Sequence, residues 1–252
     1  GPETLSEEEL VKNREDMWAE VLARPLDSPY YRERTADLAK VAVPLLSAAN
    51  WGGQGLHTRG NFEGFVRSKS KQKWLEVHGG SHWAPFYTDY GVALQKRFFD
   101  HYLKGKKNGW KKTAPISLLV RSPGEKFVQR DEKEWPLKRT QWTTLHLNPQ
   151  GMTFSQDPIT ENAQVTYDMM GDGVTFAFPP QKQEVELTGP MALKLFISST
   201  TVDADIFAVV RIYDKENKEV LFHGALDPKT PVAQGWLRAS HRKLDKKKSL
   251  PQ

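Results

Sequence analysis

Residues 71–105 read KQKWLEVHGGSHWAPFYTDYGVALQKRFFDHYLKG, and this stretch decides the fold. "KWLEV" (73–77) is a short apolar run of the kind that forms a buried parallel strand, and after His78 two glycines open a loop. Beyond Thr88, Val92, Leu94, Phe98, Phe99 and Leu103 suit one broad helical face, and Gly105 supplies a C-terminal cap. Strand, glycine loop and amphipathic helix make half of a parallel βα unit. The same order precedes it. "VAVPLLSAAN" (41–50) reads as a buried strand, glycine-rich "WGGQG" follows, and a weaker helix spans 56–68, where Gly60 and Gly64 lower its propensity. The alternation predicts a parallel α/β sheet only two strands deep. Two such strands do not make a stable sheet alone, so the rest of that sheet is expected outside these residues.

Upstream, "LSEEELVKNREDMWAEVLARP" (5–25) predicts one helix, with Ser6 and Glu9 as a capping box and Pro25 as the stop. After Trp110 the pattern changes. "ISLLVR" (116–121), "WTTLHL" (142–147), "EVELTG" (184–189), "MALKLFISS" (191–199), "IFAVVRIYD" (206–214) and "EVLFHG" (219–224) are strand-like and separated by turns such as "NPQG" and "DKENKE". Short strands with turn signals and no helix predict an antiparallel sandwich or jelly roll. The expected class is α/β plus all-β: residues 1–110 as the last part of an α/β unit, and 111–252 as a sandwich. Strong alternation ends near residue 224, so the sandwich is expected to be truncated.

Composition narrows the function. With 252 residues, 38% hydrophobic and 27% charged, the chain has room for one large domain or two ordinary ones. It contains no cysteine, which excludes a disulfide framework, a thiol nucleophile and thiolate metal ligands. The net charge of +5 is concentrated in "RKLDKKK" (242–248) and "KGKKNGWKK" (104–112), without interleaved aromatics, so no nucleic-acid partner is expected. No apolar run approaches the roughly 20 residues of a membrane span, and no signal peptide is visible at a first residue that is not Met. No membrane contact is expected, and the compartment stays open, with the cytoplasm as default. "TVDAD" (201–205) offers two carboxylates without the glycine-containing loop of an EF-hand; neither a metal nor another cofactor is expected.

In an open parallel sheet, chemistry gathers at the C-terminal ends of the strands. Two loops lie there, "NWGGQGLH" (50–57) and "HGGSHW" (78–83). His82 is the candidate general base, because an imidazole of pKa about 6.5 accepts and returns a proton near neutral pH. His78, at the strand end, reads as packed or bonded to backbone. Spacing alone leaves His82 open between a general base and a structural histidine.

Longer phrases carry a resemblance. "VAVPLLSAANWGGQGLHTRGNFEGF" (41–65), "KQKWLEVHGGSHWAPFYTDYGVALQKRFFDHYLKGKKNGW" (71–110), "VRSPGEKFVQRDEKEWPLKRTQWTTLHL" (120–147), "SSTTVDADIFAVVRIYD" (198–214) and "GWLRASHR" (235–242) resemble the CocE/NonD hydrolases. These are grouped with the X-Pro dipeptidyl-peptidase and cocaine-esterase-like serine hydrolases. The resemblance implies an α/β-hydrolase domain followed by a jelly roll, and a serine acyl-enzyme that cleaves a small acyl ester or a proline-containing peptide. It places His82 at the family's catalytic histidine.

Two departures accompany it. No G-x-S-x-G nucleophile elbow occurs in the chain. Ser81 is the nearest imitation, but it adjoins His82 and follows the wrong strand. The family's acid is expected in a W-x-D pattern, where this chain has Trp51, Gly52 and Gly53. Asn50, beside that tryptophan, can hold a tautomer but not offset the imidazolium charge; Glu63 and Asp89 are the other candidates. Trp51, Trp83, Phe86 and Tyr87 flank the site as pocket lining or, equally, as ordinary core aromatics. Asp100 and His101 point about 100° apart on a helix, so a surface role is expected for them. The serine is expected from a complementing N-terminal segment, and exposed strand edges raise the expectation of a homo-oligomer. The rival reading is a non-catalytic β-sandwich module carrying a remnant of hydrolase sheet.

Overall fold

The structure, a computed structural model, describes residues 4–244. It opens with three short helices, α1 (Glu7–Asn13), α2 (Met17–Ala23) and α3 (Pro29–Arg34). The capping box forms: the Glu9 N–H donates to Ser6 Oγ at 3.3 Å, and the Ser6 N–H donates to the Glu9 carboxylate at 3.0 Å. The single helix expected over 5–25 is instead two. Arg14 is extended, and the Asp16 carboxylate accepts the N–H groups of Trp18 and Ala19, both at 3.0 Å. A second local cap wins over continuation, because Asp favours caps over helix interiors.

The βα pattern then appears as β1 (Leu45–Asn50), α4 (Thr58–Arg67), β2 (Lys73–His78), the short α5 (Ala84–Tyr87) and α6 (Asp89–Lys104). Strands β1 and β2 are parallel, in a register that sets Ala49 beside Val77 and Asn50 beside His78. Gly105 sits at φ 65° and ends α6 in the left-handed conformation that a side chain would disfavour.

The sheet does not stop at two strands. β3 (Ile116–Ser122), read from the sequence as the first sandwich strand, lies parallel to β2, and β4 (Lys126–Glu132) pairs antiparallel with β3. The result is a mixed four-stranded sheet in the order β1-β2-β3-β4, running on both sides of residue 110. Ile116 and Leu118 explain the placement: both are fully buried, and they join Ala49, Phe65, Leu75 and Val77 in one core cluster. An apolar i, i+2 pair goes where a covered face is available, and β2 with α4 offers one.

A second cluster, of aromatic side chains, gathers around Trp110. Its ring lies 5.2 Å from Trp74 and 5.3 Å from Phe98, and Tyr102 packs 5.1 Å from Phe98. Asp100, expected at the surface, is buried at the end of α6. Lys96 and Lys104 each reach its carboxylate at 2.8 Å and Lys106 at 3.2 Å. Those three ammonium groups hold its carboxyl far below the usual range. His101 hydrogen-bonds the Lys106 carbonyl through Nδ1 at 2.9 Å.

Beyond the mixed sheet, β5 (His146–Asn148) pairs with β6 (Thr153–Ser155), and β7 (Asp205–Val210) with β8 (Ala233–Arg238), as two separate antiparallel ladders. The segments expected as strands at 184–189 and 191–199 run without a ladder, and 219–224 makes only isolated bridges to Tyr213 and Thr230. A strand exists only where a neighbour takes its backbone groups, and no other described residues supply one for 184–199. The carboxylates of "TVDAD" are occupied: Asp203 accepts from Ser240, and Asp205 pairs with Arg238 at 2.8 Å. Among the described residues no cluster of three or more His, Asp or Glu is arranged to hold a metal ion, and no helix is long and apolar enough to cross a membrane.

Candidate functional site

The loops after β1 and β2 lie side by side because their strands are paired in register to their last residues. Gly53 closes the first as a tight turn: its carbonyl accepts N–H groups from Leu56, His57 and Thr58. The second loop approaches β4 closely at Gly79, where an added Cβ would fall 2.0 Å from the Phe127 ring. Any side chain there would have to displace the Phe127 ring. Asn50 ties the two loops together. It is buried, and its side-chain amide donates to the Gly80 carbonyl at 3.0 Å, while its main-chain carbonyl accepts from Thr58 Oγ1 at 2.6 Å.

His82 sits on the second loop, half-buried. Its ring stacks on His57 at 4.8 Å and 19°, and meets Trp83 edge-on at 4.8 Å. Its Nδ1 is buried and has no hydrogen-bond partner among the described residues. Burial, then the neighbouring rings of His57 and His78, push the His82 pKa below the ordinary imidazole value. The neutral form is therefore favoured in the fold. That contribution to stability is present above the unfolded pKa of about 6.5 and is lost as pH falls through the lower folded value. In an NMR titration His82 is expected to take up its proton at lower pH than in the urea-denatured chain; a midpoint at or above the denatured one would contradict this environment.

Among the described residues no carboxylate meets His82 Nδ1. The Asn50 side-chain NH2 donates to the glycine loop while its Oδ1 is buried with no hydrogen-bond partner among the described residues, Glu63 is ion-paired with Arg67, and Asp89 opens α6. The acid that does serve a histidine is Glu76. It is buried on β2, and its carboxylate meets His78 Nδ1 at 2.8 Å and the Tyr90 hydroxyl at 3.4 Å. Burial and that carboxylate together push Tyr90 up to about 12. Thus His78 bonds a side chain rather than backbone. The pair was readable from the sequence, since residues two apart on a strand share a face.

Ser81 Oγ accepts the Ala84 N–H at 3.4 Å, at the entry to α5. Trp51 packs on the core and donates from its indole to the Leu119 carbonyl at 2.7 Å. Trp83, Phe86 and Tyr87 are more than half exposed; Trp83 packs against the imidazole, and Phe86 and Tyr87 pack edge-on against each other at 4.9 Å. His57, absent from the sequence expectations, is brought onto His82 by the first loop. The backbone of Ala225 was missed as well: its carbonyl accepts the His82 N–H at 3.1 Å. No local pattern announces either contact, because each depends on two distant segments meeting.

Residues 108–251 match the family model described as the X-Pro dipeptidyl-peptidase C-terminal non-catalytic domain. The chain belongs to that family. In this CocE/NonD, X-Pro dipeptidyl-peptidase-like chain the match begins just before Trp110 and β3, so the mixed sheet straddles its start. Two crystal structures of a CocE/NonD family hydrolase from Staphylococcus aureus superpose on it. Each has a TM-score of 0.82 and 31% sequence identity, and each match covers 94% of this chain. The chain spans 43% of the length of those structures. No curated protein matches it.

Proposed function

We propose that this chain is part of a serine hydrolase of the CocE/NonD type and that His82 is its general base. The observation that supports the reading most is the position of His82: it stands on the loop past a parallel strand, ahead of an amphipathic helix, with its pKa lowered toward the neutral form a base requires. A serine supplied from outside these residues would attack the carbonyl carbon of a small acyl ester or of a peptide bond at proline. His82 would take the serine proton and pass it to the departing alcohol or amine. Water would then attack the acyl-enzyme with His82 again as base, returning the serine. On this reading residues beyond β4 are a jelly roll packed on the hydrolase sheet, and Trp83, Phe86 and Tyr87 line the entrance.

A second reading has its own support. The family model that matches residues 108–251 is of a non-catalytic domain, and among the described residues no carboxylate meets His82 Nδ1 to orient it. The chain would then be a binding or structural module. A fluorophosphonate probe separates the two, because it marks only a serine activated by a nearby base. The 252-residue chain alone is expected to remain unlabelled. Addition of a segment carrying a nucleophile elbow is expected to give stoichiometric labelling by intact mass. Association without labelling would favour the module. Labelling of the chain alone that His82→Ala abolishes would locate a nucleophile within it, with Ser81 and Ser47 the first to substitute.

A further inference from the structure

One segment of the C-terminal region reaches over both loops at the strand ends. Ala225 donates its N–H to the Gly52 carbonyl at 3.0 Å, and its own carbonyl accepts the His82 N–H at 3.1 Å. A single peptide unit pair thereby fastens the loop after β1 to the loop after β2. The approach is close: a Cβ at Gly52 would lie 2.7 Å from Gly224 Cα, from its carbonyl carbon and from the His223 carbonyl oxygen. All three are backbone atoms, so no side-chain rotation relieves the contact.

The segment is itself braced. Phe222 and Thr230 exchange backbone hydrogen bonds of 2.9 and 2.8 Å, and the Gly224 N–H donates to the Asp227 carbonyl at 2.7 Å. Gln54 and Arg121 both donate to the Val232 carbonyl, at 3.0 and 2.9 Å, and the Arg121 guanidinium lies 4.3 Å from the Phe222 ring centre. Burial lowers the Arg121 pKa to about 10.

We infer that residues 222–232 form a clamp that positions the His82 imidazole, with Ala225 acting through its backbone and Gly52 and Gly224 as the residues that permit its approach. The inference rests on the reading of His82 as the general base. It gives a domain class described as non-catalytic a part in the geometry of the reaction. A base displaced by about 1 Å costs on the order of a hundredfold in rate, so a fixed backbone amide at His82 has catalytic consequences. The stacked His57 cannot provide that anchor alone, because it rides on the loop that the clamp also holds.

The test uses the 252-residue chain with Gly52→Ala. Amide exchange at His82 and Ala225 is expected to quicken roughly tenfold, the scale of losing one net hydrogen bond, while exchange within α6 stays unchanged. The His82 titration midpoint should rise as its ring gains water. A folded Gly52→Ala chain with unaltered His82 exchange and titration overturns the clamp. Should that variant fail to fold, Gly224→Ala serves, since its Cβ would meet the Thr230 methyl at 2.5 Å. Thr230→Ser removes the methyl and keeps the hydroxyl that donates to the Phe222 carbonyl at 3.0 Å. Loosening by Gly224→Ala and recovery in the double variant support the clamp; identical behaviour of the two overturns it. These readouts need no catalysis. A clamp that moves His82 while His82→Ala leaves hydrolysis by the reconstituted enzyme intact would sink the general-base reading alone.

Discussion

With His82 as the proposed general base, His82→Ala in an enzyme reconstituted around this chain is expected to lower kcat for an activated acyl ester on the order of 10⁴- to 10⁶-fold, with KM little changed. That is the scale for removing the base from a serine-based site, and it corresponds to about 5–8 kcal/mol of transition-state stabilisation. The size follows from cooperation. Without an acceptor the serine keeps its proton and the leaving group receives none, so both halves of the reaction fail together. Steady-state kinetics on the reconstituted enzyme is the check, with His78→Ala alongside. His78 is held by Glu76 rather than placed on the loop, so its loss should act through stability. A fall of less than tenfold for His82→Ala would remove His82 from the mechanism.

Trp110→Ala destabilises the chain by about 3–5 kcal/mol, the range for deleting a fully buried large aromatic. Trp110 has no exposed surface and contacts Trp74 and Phe98, so its loss leaves a cavity between α6 and the sheet that rigid neighbours fill only in part. Phe99 provides the comparison. It is next to Phe98 on the same helix but half exposed, and Phe99→Ala should cost under about 1 kcal/mol. Urea melts monitored by circular dichroism measure both. Equal costs for the two would mean that the Trp110 cluster is not part of the cooperative fold.

Legibility in the sequence followed the range of the interactions. The buried strands, α4, α6, the Ser6–Glu9 box and the Gly105 cap are written in residues a few positions apart, where periodicity and capping act. The split between α1 and α2 was equally local, and Asp16 carried the signal. By contrast, β3 reads as a strand in any environment. Whether it joins a sandwich or extends the parallel sheet depends on which covered face accepts Ile116 and Leu118.

The site divides in the same way. By itself the sequence determined the strand–loop–helix setting of His82, the glycine-rich character of the two loops, and the absence of a nucleophile elbow. Those are properties of residue type and spacing. Only the tertiary structure decided that Asn50 spends its amide on the glycine loop, that Glu76 serves His78, that His57 stacks on His82 and that Ala225 bridges both loops. Each of those contacts joins groups whose chemistry is ordinary and whose meeting is set by packing, through desolvation and hydrogen-bond geometry that no single segment encodes.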